Sequence, residues 1–490
     1  MIRPLSHCFL ILLAGLSGCK STSIDPKELP PVEVASNWSL EGSDLPVDSL
    51  GKTLPDELFP EPLRLLIEQG LSKSPNVDVA QARLDRAFAQ WRESKSGFLP
   101  QAELSLNQAT TKQNFIGLPI PGSEQDVLST QFRSSGLGLS TKWELDLWGR
   151  IRAIKQRDRE AYTAAQKDWE YYLMSLAAQI AKAWADAITD VAQWQLAKQT
   201  AEHYALVVSR VKDRYSQGLE SLVDLDQMQT DWLAARREVS ERRRQYEVSK
   251  RILQTLVGEF PDGTWEPVGQ LPDNLDPIPA GLPSALLNRR PDLLAAQARV
   301  EQALYSLRAS SKELLPRLSL TGAAGTSSPA LQEVVDSQFG VWSLAGNLTQ
   351  PILDRGRIRG GIAKAKANHQ EVLASYHARM LEAFREVEIA LQADVWLREQ
   401  VIQSHEMLTI TKRNDQQAQS KFAKGLWRMR QVVQARQRLL ADQMKLNETR
   451  RMIFQNRIDL LVALGGGWKE FTAERCDTAM ASNIFQGTEP

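Results

Sequence analysis

The sequence predicts a mixed α/β membrane protein, mainly long α-helices with four β-strands per chain, and three observations predict it. Residues 75–258 recur in register at residues 291–465, so every element occurs twice. Each copy contains a pair of runs in which apolar and polar residues alternate, the period-two signature of strands with one apolar face. Each copy then enters a very long helical tract; the first, residues 151–215, contains neither proline nor glycine. Four amphipathic strands cannot close a barrel, and lipid leaves no solvent for an open sheet edge. The simplest way out is oligomerisation, each copy donating its strands to a shared barrel.

The register of the repeat is tight. Pro75 falls on Pro291, Ala80-Gln81-Ala82-Arg83 on Ala296-Gln297-Ala298-Arg299, and Pro100 on Pro316. After a change of length between Pro100 and Gly149, Gly149-Arg150-Ile151-Arg152 falls on Gly356-Arg357-Ile358-Arg359, Gly218-Leu219 on Gly425-Leu426, and Gly258 on Gly465. Length changes of this kind fall in loops, where helix packing is undisturbed.

From the N-terminus, Arg3 precedes an apolar stretch at residues 9–16, too short to span a bilayer and matched to the core of a secretory signal. It ends in Leu16-Ser17-Gly18-Cys19, which resembles the lipobox of bacterial lipoproteins. Residues 1–18 are thus expected to be a lipoprotein signal peptide, with Cys19 lipidated (a palmitate-bearing anchor) and residues 19–60, rich in proline and acidic residues, an extended leader.

The first repeat spans residues 61–258. Leu65, Leu66, Leu71, Val77, Leu84 and Trp91 give a helical period broken near Ser74-Pro75, where proline opens a second helix. Pro100 ends it, and a β-hairpin follows at about 101–146: Leu104 and Leu106 on one strand, Leu137, Leu139, Trp143 and Leu145 on the other, with a loop from about Thr110 to Ser135. In the long helix that follows, Leu173, Leu176, Ile180, Trp184, Ala187, Val191 and Trp194 form a narrow apolar stripe. Gly218 caps it, and a helix restarting at about Leu222 returns to Gly258. Residues 259–283 form a proline-rich connector. The second repeat, residues 284–465, has its hairpin at about 317–353, a stripe through Met380, Phe384, Val387, Leu391 and Val395, and a turn at Gly425 before a helix from about Met429. Residues 466–490 are a tail without periodicity.

Acidic and basic residues are equal in number, 59 each, which argues against a nucleic-acid partner. The cysteines are Cys8, Cys19 and Cys476, so no intrachain disulfide is expected. Catalysis has no foothold: the histidines show no zinc spacing, no phosphate loop or nucleophile elbow occurs, and no cofactor is expected beyond the lipid on Cys19.

The lipobox Cys19, Glu144-Leu145-Asp146-Leu147-Trp148-Gly149-Arg150 after the first hairpin, Asn288-Arg289-Arg290-Pro291-Asp292-Leu293 opening the second copy, and Pro351-Ile352-Leu353-Asp354-Arg355-Gly356-Arg357 after the second hairpin stand in a particular order. With the turns Tyr215-Ser216-Gln217-Gly218-Leu219 and Phe422-Ala423-Lys424-Gly425-Leu426, the chain resembles the outer-membrane efflux proteins of the TolC family, in their OprM/NodT-like lipoprotein branch. The resemblance implies a homotrimer whose long helices form an α-barrel across the periplasm and whose four strands per chain complete a 12-stranded outer-membrane β-barrel. It further implies the exit duct of a tripartite RND-type efflux system, passively conducting small molecules such as drugs from a periplasmic adaptor and an inner-membrane RND transporter to the exterior. Two other readings fit the residues: the duct of a type I protein secretion system, and a lipid-anchored coiled-coil scaffold without a pore. The strand pairs with one lipid-compatible face weigh against the scaffold.

Within that frame the two helix turns form the periplasmic tip, and Gly218, Leu219, Ser221, Leu222, Gly425 and Leu426 are the expected adaptor contacts. After the first turn stand Ser221, Asp224 and Asp226; after the second stand Arg428, Arg430, Gln431 and Val433. Asp224, Arg428 and Arg430 are therefore candidates for a pore constriction, the arginines favouring anionic solutes. Trp143 and Trp342 are expected on the lipid-facing side of the strands.

Overall fold

The structure, a computed structural model, describes residue 38 and residues 58–115, 128–272 and 286–466. The signal peptide, Cys19, nearly all of the leader, much of the connector and all of the tail beyond Gly466, Cys476 included, lie outside the described residues.

Each repeat forms two helical stretches around a hairpin. In the first, α1 (Glu61–Lys73) and α2 (Pro75–Ser96) lead to β1 (Gln101–Phe115) and β2 (Leu128–Leu145), followed by α3 (Arg150–Ser216) and α4 (Leu222–Leu256). In the second, α5 (Pro291–Ser311) leads to β3 (Arg317–Thr326) and β4 (Gly340–Thr349), then α6 (Arg357–Ala423) and α7 (Met429–Leu464). Helices α3 and α6 have 67 residues each, roughly 100 Å at 1.5 Å per residue. Among the described residues no helix is long and apolar enough to cross a membrane.

Both proline helices begin where expected, since proline at the first turn sacrifices no hydrogen bond. The long helices begin after glycines in the left-handed region, Gly149 (φ 77°) and Gly356 (φ 85°), which turn the chain out of the strand. An aspartate completes each corner. Asp146 accepts from the amides of Ile151 and Arg152 at 3.0 and 2.9 Å, and Asp354 from those of Gly356 and Ile358 at 3.0 and 2.8 Å, satisfying amides the helix itself leaves open.

The helices form one layer. On the side of the sheet the order across it is α2, α3, α5, α6; on the far side it is α4, α3, α7, α6. Helices α3 and α6 thus run the full length, while α2 is succeeded by α4, and α5 by α7. The changeover repeats in both copies: a Cβ on Gly258 would stand 2.5 Å from the carbonyl oxygen of Lys73, and one on Gly465 3.0 Å from Arg290. A core gathers near this level, where Trp184 and Phe454, both with no exposed surface, pack at 5.8 Å and the connector carbonyl of Val268 accepts from Trp184 Nε1.

A buried ion network pins the start of α5. Arg290, with no exposed surface, bonds Asp292 at 2.9 Å, Glu386 of α6 at 2.6 Å and the carbonyl of Ala463 in α7 at 3.2 Å, while Arg379 reaches Asp292 at 2.7 Å. Burial opposes ionisation of Asp292, but Arg290 and then Arg379 outweigh it and hold the carboxyl below its ordinary range.

The four strands form one antiparallel sheet in the order β1-β2-β3-β4, with β1 and β4 as its edges. Register puts Leu104 opposite Leu139, Leu139 opposite Ala324 and Ala324 opposite Trp342; Trp143 faces Leu320, and Leu318 faces both Leu145 and Leu348. All of these share one face, since directly opposed residues do. The other face carries Glu103, Ser105, Ser140, Lys142, Ser319, Thr321 and Asn347.

The structure corrects three details. The first hairpin loop was expected from about Thr110 to Ser135, but pairing continues to Phe115 and resumes at Leu128. Backbone hydrogen bonds sustain a ladder where, from Thr110 to Asn114 and opposite them, side chains on both faces, Phe132 apart, are polar and alternation vanishes. The second hairpin stops at Thr349 rather than 353, for Pro351 has no amide to continue it. In α6, Val395 is 38% exposed and its neighbour Asp394 is buried instead, paired with the equally buried Arg457 and, at 3.0 Å, with Arg398.

Candidate functional site at the helical tips

The ends of α3 and α6 farthest from the sheet turn in the same way. Gly218 (φ 71°) donates to the carbonyl of Tyr215 and Leu219 to that of Arg214, both at 2.9 Å; Gly425 (φ 72°) donates to Phe422 and Leu426 to Lys421, again at 2.9 Å. These bonds close the last helical turn, and only the glycine adopts that φ without strain. The turns leave apolar side chains in water: Leu219 is 58%, Leu222 53% and Leu426 69% exposed.

The returning helices start differently. Ser221 caps α4: its Oγ accepts from the amide of Asp224 at 3.1 Å and donates to Asp224 Oδ2 at 2.7 Å. Arg428 holds the same place before α7 and has no such acceptor, so Gln431 supplies one, its Oε1 accepting from the Arg428 amide at 2.7 Å.

Asp224 and Arg430, one from each turn, meet. Arg430 Nη2 lies 2.8 Å from Asp224 Oδ1. The Ser221 hydroxyl first, and Arg430 after it, hold the Asp224 carboxyl below its ordinary range. Arg428 is exposed and forms no salt bridge among the described residues. Of the three candidate constriction residues, two therefore neutralise each other.

Behind the turns, Val207 and Val211 of α3, Leu225 and Met228 of α4, Ala418 of α6, and Met429 and Val433 of α7 form one apolar cluster joining the two hairpins. Sequence reasoning missed a polar group on this layer. Asp415, 3% exposed, accepts from Arg436 Nη1 at 3.0 Å and from Gln419 at 2.8 Å, tying α6 to α7. Its signal was present: Asp415 lies three residues before Ala418 and seven before Phe422, on the inward stripe of α6. In the first copy the corresponding residue is Val208. Among the described residues no His, Cys, Asp or Glu cluster is arranged to hold a metal ion.

Two tryptophans stand on the apolar face of the sheet, with Leu145, Leu318 and Leu348 beyond Trp143 and Leu106 and Leu137 beyond Trp342. Trp143 lies near the helix end of the sheet, half-buried, its Nε1 donating to the carbonyl of Phe98 at 2.9 Å; Trp342, 82% exposed, lies toward the turn between β3 and β4. Trp143 pairs with Leu320 and Trp342 with Ala324, so four residues of β3 separate them, on the order of 13 Å along the strand.

The profile of the family described as "Outer membrane efflux protein" matches residues 66–259 and 282–466. The probable efflux pump outer membrane protein TtgC of Pseudomonas putida is 26% identical over 465 residues, covering 94% of this chain and 95% of the relative. The outer membrane protein OprJ of Pseudomonas aeruginosa is 27% identical over 472 residues, with 94% and 95% covered. Among solved structures, the CmeC outer membrane channel of Campylobacter jejuni superposes with a TM-score of 0.81 at 20% identity, covering 92% of this chain and 97% of CmeC.

Proposed function

The chain belongs to the outer membrane efflux protein family, and from that premise we propose that three copies assemble into one exit duct of a tripartite, RND-type efflux system. The observation that carries the proposal is a sheet with one apolar face and two unpaired edges, β1 and β4, which lipid does not tolerate unless the edges meet those of other copies. Three copies give twelve strands, enough to enclose an aqueous channel.

The helical layer supports the same closure. Its edges, α4 on one side and α6 on the other, carry exposed apolar residues: Leu233, Val248 and Ile252 on α4, and Ile389, Trp396, Ile402 and Ile410 on α6. Apolar edges of this kind match an adjoining copy, α4 of one against α6 of the next, and closing them makes a tunnel of twelve helical columns. Small molecules such as drugs pass through passively, delivered by an inner-membrane transporter through a periplasmic adaptor.

The exposed Leu219, Leu222 and Leu426, with Gly218, Ser221 and Gly425 shaping the turns that present them, form the adaptor contact. The Asp224–Arg430 bond ties the two turns of one copy and resists opening of the tip. Arg430 being neutralised, an anion-favouring constriction rests on Arg428, repeated threefold. Cys19 carries the lipid that tethers the leader to the outer membrane. Planar-bilayer recording of the purified full chain tests the proposal: discrete conductance supports it, and its absence even after the tip turns are deleted contradicts it.

A further inference from the structure

The two Gly-Arg-Ile-Arg segments sit at equivalent corners between a strand and a full-length helix, but only one corner is electrically balanced. In the first copy Arg150 pairs with Glu144 at 2.8 Å and Arg152 with Asp146 at 3.3 Å. Register puts Pro351 and Leu353 where Glu144 and Asp146 stand, and adds Arg355 in place of Trp148. Arg355, Arg357 and Arg359 are all exposed, and none forms a salt bridge or a side-chain hydrogen bond among the described residues. The acid at this corner, Asp354, has both oxygens engaged by the amides of Gly356 and Ile358. Three cations therefore face one carboxylate.

The corner has a second property. Ile352 and Leu353, beside the arginines, are 94% and 90% exposed. They lie four and five residues after Leu348, the last residue of β4 on the apolar face. Just outside the hydrocarbon of a bilayer lies its phosphate layer, where apolar anchors enter the acyl boundary and arginines meet phosphate oxygens. Arg355 adds a backbone sign of constraint: its φ of 53° is in the left-handed region, which places its side chain on a turn held by Asp354.

We propose that this corner is a binding site for anionic phospholipid headgroups of the leaflet on the helix side, with Arg355, Arg357 and Arg359 on the phosphates and Ile352 and Leu353 in the acyl boundary. The inference rests on the membrane placement of the sheet proposed above. Lipid meets both features at once, phosphate for the arginines and acyl chain for Ile352 and Leu353. The site belongs to the second repeat alone, and a trimer carries it three times around the barrel.

The test uses the full chain reconstituted with phosphatidylcholine or with a mixture containing phosphatidylglycerol, and native mass spectrometry to count retained lipids. The wild type is expected to retain phosphatidylglycerol over phosphatidylcholine in a salt-sensitive way. Changing Arg355, Arg357 and Arg359 to Gln lowers that preference, roughly fivefold for each arginine removed, whereas changing them to Lys keeps most of it. Unchanged phosphatidylglycerol retention in the Gln variant overturns the proposal. So does dissociation of the Gln variant into single chains while the wild type stays assembled, which assigns the arginines to a second copy. Conductance in phosphatidylcholine bilayers is recorded alongside: a silent wild type defeats the channel reading as well, while normal conductance with unaltered lipid preference defeats this inference alone.

Discussion

Arg430 of one turn and Asp224 of the other are joined by a 2.8 Å ion pair, a direct polar link between the two tips of a chain. Exposed pairs add little to stability, so its consequence is positional. Arg430→Ala or Asp224→Ala should leave the melting temperature within a degree or two but increase the open fraction of the reconstituted channel several-fold. Exchanging the two residues should restore closure, and single-channel recording of all three variants reads this directly.

Arg428, like Lys424 in the same turn, is exposed and forms no salt bridge among the described residues. Arg428→Ala should shift reversal potentials in a salt gradient away from anion preference, with a smaller shift for Arg430→Ala. If both substitutions together leave ion selectivity unchanged, no basic ring operates there.

The Arg290–Asp292 network predicts a large stability effect far from the tip. Asp292→Asn leaves Arg290 buried without the charge of one of its three partners, Asp292, Glu386 and the Ala463 carbonyl, and should cost about 3–5 kcal/mol, read by thermal or denaturant unfolding of the purified protein. The sign with pH follows from the lowered Asp292 pKa. Its contribution is complete above the unfolded carboxylate pKa of about 3.9 and is lost as pH falls through the lower folded value. In the Asn variant that acid limb should be absent.

His203 on α3 gives a second titration, at higher pH. Burial first, then the charges of Arg436 and Arg210 against the opposing Asp415, hold its pKa below the ordinary imidazole value. The unfolded chain binds this proton first, so stability should decline as pH falls below about 6.5 and level off below the folded pKa. Replacing His203 by Gln should flatten that part of the curve of melting temperature against pH.

Two glycines with similar φ separate conformation from packing. Gly218 (φ 71°) has open space where a Cβ would go, and Gly218→Ala should cost on the order of 1 kcal/mol. Gly258 (φ 80°) would put its Cβ 2.5 Å from the Lys73 carbonyl oxygen, so Gly258→Ala should cost several times more, about 3 kcal/mol. Equal losses at the two positions would remove the packing argument.

Periodicity and repetition made most of the architecture legible. The helix starts at Pro75 and Pro291, the turns at Gly218 and Gly425, and both strand pairs follow from proline, glycine and alternation, which act locally. What the sequence hid depends on neighbours distant in the chain. The strand extension from Thr110 to Phe115 is written in backbone pairing, and the inward turn of Asp394 and Asp415 in partners contributed by α7. The meeting of Asp224 with Arg430 needs two turns more than two hundred residues apart, and the two Gly-Arg-Ile-Arg corners, each with its aspartate, differ in Glu144, which pairs with Arg150 in one copy and has Pro351 in its place in the other.

The central claim is that the sheet edges β1 and β4 close against other copies in threes. Native mass spectrometry of the membrane-extracted, conducting protein tests it most directly: the account predicts a particle of three chain masses, and a conducting species of one or two chains would contradict it.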